Sequence, residues 1–345
     1  GRMTRADLEN YRIAIREPVS GSYRGYTIQG MGPPSSGALT SIQILKLLER
    51  FPIGDPEQGF RFGTPRTLHV RVEAMRLAFA DRALWIGDSD FVQIPETGLL
   101  NERYLAERSL LIDPDSRMQQ APAGDPRPYL DEAAGSKSKL AASSPGLQKG
   151  RNTTHFTIID RQGNIVSYTS TIESAWGSGL MVPGYGFLLN NELTDFNFSP
   201  TANAVPDNFN PGANDVAPAK RPRSSMAPTI LFKDGKPVAA YGSPGGSTII
   251  DSVVNITVNL IDHGMDIQEA VDAPRIAQTS ANGSLRREIG FSEPALNALE
   301  TLGHKLYEPE AIGSVQGIVI DQRRGLQYGA ADRRRVGAVR SLPQR

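Results

Sequence analysis

The sequence predicts a layered α+β domain, and three observations carry that expectation. First, three pairs of β-forming runs flank short polar links: 154–160 with 165–171 around Arg161-Gln162-Gly163-Asn164, 229–232 with 238–241 around Lys233-Asp234-Gly235-Lys236, and 318–321 with 326–328 around Gln322-Arg323-Arg324-Gly325. Second, helix-period runs lie at 248–263, 266–272 and 293–302. The last opens after Ser292 with Pro294 in its first turn and closes at Gly303. Third, hairpins build antiparallel sheets that segregated helices can cover.

The first third reads as mixed strand and helix. A strand over 22–29, with Tyr23, Tyr26, Thr27 and Ile28, runs into the turn-rich Gly30-Met31-Gly32-Pro33-Pro34-Ser35-Ser36-Gly37. An amphipathic helix follows on Ile42, Leu45, Leu48 and Phe51. A second covers 67–86, with Val70, Ala74, Leu77, Ala78 and Leu84 on related faces, and Gly87-Asp88 stops it. From 113 to 152 proline, glycine and serine crowd a stretch without apolar periodicity, which predicts a flexible, exposed tether. It ends where a strand begins, at Asn152-Thr153-Thr154-His155.

Composition narrows the chemistry. Hydrophobic residues make up 39% and charged residues 21% of 345, so a packed core is within reach. Lys plus Arg and Asp plus Glu are each 37, which speaks against a bulk-charge grip on nucleic acid or an anionic membrane. There are 4 histidines and no cysteine, so thiolate zinc sites, iron–sulfur clusters, disulfide frameworks and cysteine nucleophiles are excluded. No run reaches the roughly 18 apolar residues of a membrane helix. Residues 1–8 carry no signal-peptide core, and Met3 is internal, so the chain reads as cut from something longer.

Four elements could bear chemistry. A threonine hydroxyl needs a base, and cleavage before a threonine frees an α-amine of pKa about 7.7–8.0 that can serve; Asn152-Thr153-Thr154, a tether meeting a strand, suits that cleavage. Gly242-Ser243-Pro244-Gly245-Gly246-Ser247-Thr248 opens a helix with unobstructed N–H groups fit for an oxyanion; it lacks the Gly-Lys-Ser/Thr ending of a phosphate loop. Glu192 and Asp195, three apart after an apolar strand, can converge on an ammonium or a cation. Lys220-Arg221-Pro222-Arg223-Ser224-Ser225 sets two hydroxyls among cations and could hold a carboxylate. Each has a plain counterpart: an ordinary strand start, a tight turn, surface carboxylates, a solvated basic loop.

Together they resemble the γ-glutamyltranspeptidase family of the N-terminal nucleophile hydrolase superfamily. The resemblance runs in order through Pro33-Pro34-Ser35-Ser36-Gly37, Ala80-Asp81-Arg82 with Gly87-Asp88, Thr153-Thr154-His155, Leu189-Asn190-Asn191-Glu192 with Asp195-Phe196, Arg221-Pro222-Arg223-Ser224-Ser225-Met226, and Gly242-Ser243-Pro244-Gly245-Gly246. It implies a four-layer αββα sandwich, here N-terminally truncated. Residues 1–152 are then the C-terminal part of a large subunit, ending in the tether, and 153–345 a small subunit.

The resemblance also implies roles. Self-cleavage after Asn152 exposes Thr153 as nucleophile, its free amine relaying the proton. Thr171 hydrogen-bonds near it, and Gly245 and Gly246 supply the oxyanion N–H groups. Glu192 and Asp195 bind the donor α-ammonium, and Ser224 and Ser225 its α-carboxylate. The donors are glutathione-like γ-glutamyl amides, the acceptors water, amino acids or peptides; no metal or organic cofactor enters, and the mature protein is a heterodimer of the two fragments. Export to the periplasm or outside the cell is the family habit.

Three departures stand out. Glu173 occupies a stretch where many members carry asparagine, which either reinforces ammonium binding or marks another acyl group. The lid-length stretch 197–219 has Phe209 where a tyrosine is expected. No residue can be assigned to the family's donor-carboxylate arginine, which lies in the part of the large subunit before this chain. The competing readings are an acylase of the cephalosporin or glutaryl type, a poly-γ-glutamate processing enzyme, and a non-catalytic member. The basic clusters Arg323-Arg324 and Arg333-Arg334-Arg335 are read as structural.

Overall fold

The computed structural model describes residues 3–130, 152–199 and 212–341. Helix α1 (Arg5–Asn10) opens on a capping box in which Thr4 and Asp7 bond each other's backbone N–H groups. Strands β1 (Val19–Tyr23) and β2 (Tyr26–Gly30) form a hairpin where one strand is predicted over 22–29. The chain reverses at Arg24 and Gly25, both left-handed at φ 45° and 76°. Arginine is an unusual choice there, so the turn carries no Asn-Gly signal.

Helix α2 (Gly37–Leu48) is buried on nearly every side, Lys46 excepted, where a one-faced amphipathic helix is predicted. It lies between the sheet and α3 (Pro65–Trp85), so Leu39, Ile44 and Leu45 are all inside, each contributing roughly 1.5–3 kcal/mol of burial. Helices α4 (Glu96–Leu99) and α5 (Glu102–Ser109) follow, α5 capped by Asn101. Strands β3 (Thr153–Ile159) and β4 (Ile165–Thr171) form the predicted hairpin, as do β5 (Thr229–Lys233) with β6 (Lys236–Gly242). Then come α6 (Thr248–Ile261), α7 (Ile267–Asp272), the short β7 (Ile276–Ala277) and β8 (Arg286–Arg287), α8 (Glu293–Thr301), and the hairpin β9 (Gln316–Asp321) with β10 (Leu326–Ala331).

Six strands make one antiparallel sheet in the order β1-β2-β5-β6-β9-β10. Strand β6 shows how its two faces are used. Tyr241 points at the helices and its hydroxyl lies 2.6 Å from Thr257 of α6. Gly242 points the other way, where an added Cβ would come within 2.5 Å of the His155 ring on β3. Helices α2, α6 and α7 thus cover one face, and the β3–β4 ribbon covers part of the other. Three of the four implied layers are formed by the described residues. The outer face of the ribbon carries Phe156, Ile158, Val166 and Tyr168, all exposed, with Phe156 and Tyr168 stacked at 4.9 Å.

The predicted tether needs a correction over its first half. Residues 113–130 are packed on α3, because that helix buries polar groups that need partners. The Met118 N–H donates to Glu73 (2.8 Å), Gly124 N–H to Asp81 (2.7 Å), and Trp85 Nε1–H to the Gly124 carbonyl (2.9 Å). A segment that serves buried carboxylates through its backbone needs no apolar periodicity. The remainder, 131–151, lies outside the described residues. Among the described residues no helix is long and apolar enough to cross a membrane.

Candidate active site

Thr153 is the first residue of β3 and pairs with Thr171, the last of β4. Its hydroxyl donates to Thr171 Oγ1 at 3.0 Å, and the Glu173 N–H donates to the same oxygen at 2.9 Å. Thr171 is therefore an acceptor from both, and the lone pairs of Thr153 Oγ1 stay outside that contact. The Asn152 N–H donates to the Glu173 carbonyl at 3.4 Å, so the Asn152–Thr153 bond sits at the mouth of the ribbon.

The inward face of the ribbon is polar. His155 is buried between Thr169 (Nδ1 to Oγ1, 2.8 Å) and Thr157 (Nε2 to Oγ1, 3.2 Å). Burial pushes its pKa down to about 4, so it is a neutral ring two residues along the same strand face from Thr153. Nothing in Thr153-Thr154-His155 marks the ring for this place, which strand alternation decides.

Glu173 comes next to Glu192 and Asp195. The latter two sit on a 3-10 turn (Glu192–Asp195) rather than at the end of a regular strand; only a bridge between Met181 and Leu188 precedes it. Asn191 brings the pieces together. Its side chain accepts from the Ser174 N–H and donates to Ser174 Oγ, both at 2.9 Å. Glu173 itself is held left-handed at φ 70° and only 5% exposed. A carboxylate oxygen from each of the three lies within 4.8 Å of the others. Such a trio suits an ammonium with its three donors, or a hard cation.

Ser224 and Ser225 are set by two distant motifs. The Ser36 N–H and hydroxyl both donate to the Ser224 carbonyl (2.8 and 2.7 Å), and the Ser224 N–H donates to the Pro34 carbonyl at 3.1 Å. Gly37 has no room for a Cβ against the Met226 carbonyl. On α3, Arg82 donates through Nε to Ser36 Oγ and through Nη2 to Ser225 Oγ, each at 2.7 Å. Burial lowers the Arg82 pKa to about 10, opposed by the charges of Asp195 and Asp251. The carboxylate trio and the serine pair are thus electrostatic neighbours. Arg223 clamps the end of α3, its Nη1 donating to the carbonyls of Arg82, Ala83 and Ile86 at 2.8–3.3 Å. No sequence signal marks Arg82 for this contact, because nothing in Ala80-Asp81-Arg82 says which way the side chain points.

Gly245 and Gly246 lie between β6 and α6 at φ 145° and 59°. A Cβ on Gly245 would come within 2.7 Å of Thr248 Oγ1. Behind them Ser243 Oγ donates to the Pro244 carbonyl (2.7 Å) and accepts the Ser314 N–H (2.9 Å), fixing the loop against the entry to β9. Pro244 and Thr153 line one cavity of about 360 Å³ that β9, β10 and residues 335–340 also bound. Phe209 lies outside the described residues.

A second cluster able to offer metal-type ligands, His69, Glu73 and His304, is fully buried on α3 and beyond α8. It is closed by its own bonds: His69 Nδ1 to His304 Nε2 at 2.8 Å, and Glu73 to Arg76 Nη1 at 2.6 Å and to the Met118 N–H. A guanidinium on the only carboxylate disfavours a cation there.

A family model described as Gamma-glutamyltranspeptidase matches residues 1–342. The chain is 45% identical over 340 residues to the glutathione hydrolase proenzyme of Bacillus subtilis (strain 168), covering 98% of this chain and 55% of that protein. It is 38% identical over 333 residues to the acylase ACY 1 proenzyme of Pseudomonas sp. (strain SE83), covering 96% and 53%. The crystal structure of cephalosporin acylase from Bacillus halodurans superposes with a TM-score of 0.82 at 26% identity, over 100% of this chain and 56% of that one. The chain spans about half the length of the curated relatives it matches.

Proposed function

The chain belongs to the γ-glutamyltranspeptidase family, and on that footing we propose that it is the part of a γ-glutamyltransferase or glutathione hydrolase that carries the nucleophile and most of the donor pocket. The observation that carries the reading is Thr153 at the head of β3, bonded to Thr171 and flanked by three convergent carboxylates. In maturation, Thr153 Oγ1 attacks the Asn152 carbonyl, the amide shifts to an ester, and water releases Asn152 and a free Thr153 amine. The two fragments, 1–152 and 153–345, stay together as large- and small-subunit parts.

In turnover the amine, near pKa 8, takes the Thr153 hydroxyl proton as Oγ1 attacks the γ-carbonyl carbon. The N–H groups of Gly245 and Gly246 face the developing oxyanion, and the amine returns its proton to the leaving nitrogen. Water or an amino group then resolves the γ-glutamyl-threonine ester. Glu173, Glu192 and Asp195 take the α-ammonium, Ser224 and Ser225 the α-carboxylate. This chemistry requires neither metal nor organic cofactor.

The acylase relatives raise a second reading, a donor of glutaryl type. The trio argues against it. A glutaryl group has no ammonium to bring to the three carboxylates that lie within 4.8 Å of one another.

The test is intact mass with N-terminal sequencing after incubation near neutral pH, on the full-length protein. A fragment beginning at Thr153 that turns over a γ-glutamyl anilide supports the reading. An unbroken chain overturns it.

A further inference from the structure

We propose that Arg82 is a positioning residue that fixes the hydrogen polarity of Ser225, turning a serine into a dedicated donor for the carboxylate of the substrate. The inference rests on the donor reading above. A hydroxyl has one hydrogen and can both give and accept. Arg82 can only give. Its Nη2–H occupies an acceptor lone pair of Ser225 Oγ at 2.7 Å, so the Ser225 hydrogen is directed away from Arg82 and toward whatever else the hydroxyl meets. A ligand carboxylate, which can only accept, completes that bond.

The guanidinium is held in that task from several sides. Nε donates to Ser36 Oγ at 2.7 Å, and Ser36 passes its own hydrogen to the Ser224 carbonyl, so the row Arg82–Ser36–Ser224 has one consistent hydrogen-bond direction. The Phe79 ring lies 5.5 Å from the guanidinium carbon. Arg223 pins the Arg82 carbonyl at 2.8 Å. Arg82 also places a positive charge behind the two serines and within reach of Asp195, so a zwitterionic α-carbon head sees opposite potentials on its two sides. Lysine in this place has no rigid fork to reach Ser36 and Ser225 together.

The experiment compares three anilide donors on the processed full-length protein: γ-glutamyl, 4-aminobutanoyl (no α-carboxylate) and glutaryl (no α-ammonium). With Arg82→Lys and Arg82→Gln, KM for the γ-glutamyl and glutaryl donors rises about 10- to 100-fold, kcat changes little, and the 4-aminobutanoyl donor is unaffected. In a Ser225→Ala background, Arg82→Lys adds no further loss. Equal loss on all three donors, or no change on the γ-glutamyl donor, overturns the role of Arg82. Should both Arg82 variants fail to fold, Ser36→Ala, which removes the Nε anchor together with the Ser36 hydroxyl's bond to the Ser224 carbonyl and keeps the guanidinium, is expected to lower the γ-glutamyl to 4-aminobutanoyl preference a few-fold, and an unchanged preference overturns the proposal. A wild-type protein indifferent to the α-carboxylate overturns the donor reading itself, and this inference with it.

Discussion

Thr153 and Thr171 face each other across the first rung of the β3–β4 ribbon, Oγ1 to Oγ1 at 3.0 Å, while the Glu173 amide closes on the same Thr171 oxygen at 2.9 Å. Thr153, the proposed nucleophile, is thereby coupled to the carboxylate trio through one hydroxyl. Thr171→Val should lower kcat for a γ-glutamyl anilide about 10- to 100-fold and slow fragment formation, with Thr171→Ser restoring both. Steady-state kinetics and mass spectrometry read the two effects; a valine variant with unchanged kcat removes Thr171 from the mechanism.

Gly245 is expected to tolerate no side chain. Its φ of 145° is foreign to other residues, and a Cβ would sit 2.7 Å from Thr248 Oγ1. Gly245→Ala shifts the N–H groups proposed to face the oxyanion and should cost about 100- to 1,000-fold in kcat with KM little changed. Circular dichroism on the same sample separates this from unfolding.

Glu173 supplies the third carboxylate. Glu173→Gln keeps the backbone bond to Thr171 and removes only the charge, so KM for the γ-glutamyl donor should rise about 10-fold. The glutaryl donor, lacking the ammonium, should be bound better by the variant than by the parent. Equal KM shifts on both donors would count against an ammonium site.

Acid should unfold the protein partly through its buried histidines. Burial lowers the pKa of His304 to about 3, and of His155 and His263 to about 4 each, against 6.5 in the unfolded chain. Between those values the unfolded state binds protons that the folded state refuses, so each histidine's contribution is full above pH 6.5 and is lost as pH falls. The slope is at most about 1.4 kcal/mol per pH unit for each. Asp251, whose pKa burial raises, acts in the opposite sense as pH rises above the ordinary carboxylate value of 3.8. Comparison with His304→Gln isolates the histidine, because glutamine can still donate to His69 Nδ1. Urea unfolding at several pH values should give the variant a slope shallower by up to one proton. An identical slope would mean that His304 does not titrate on unfolding.

Much of the fold was legible because its signals are local. The hairpins at 161–164, 233–236 and 322–325 carry turn residues beside β-branched runs, and Ser292, Pro294 and Gly303 bracket α8. The Arg24-Gly25 hairpin was not legible, since arginine in a left-handed turn is tolerated by the fold rather than requested by the residue. Nor was the docking of 113–130, where backbone groups satisfy Glu73 and Asp81 and no side-chain pattern marks the contact.

The site divides the same way. By itself the sequence determined which residue types are present, in which order: the threonine pair, the adjacent glycines before a helix, the acidic pair three apart, the double serine. Those follow from chemistry that needs a hydroxyl, an N–H group or a charge at a given point of the chain. Only the tertiary structure decided what they face. Arg82 and Ser225 are 143 residues apart and meet at 2.7 Å; Ser36 and Ser224 are 188 apart and meet at 2.7 Å. Side-chain direction is set by helix phase and sheet alternation acting through packed neighbours, and distance along the chain carries no record of it.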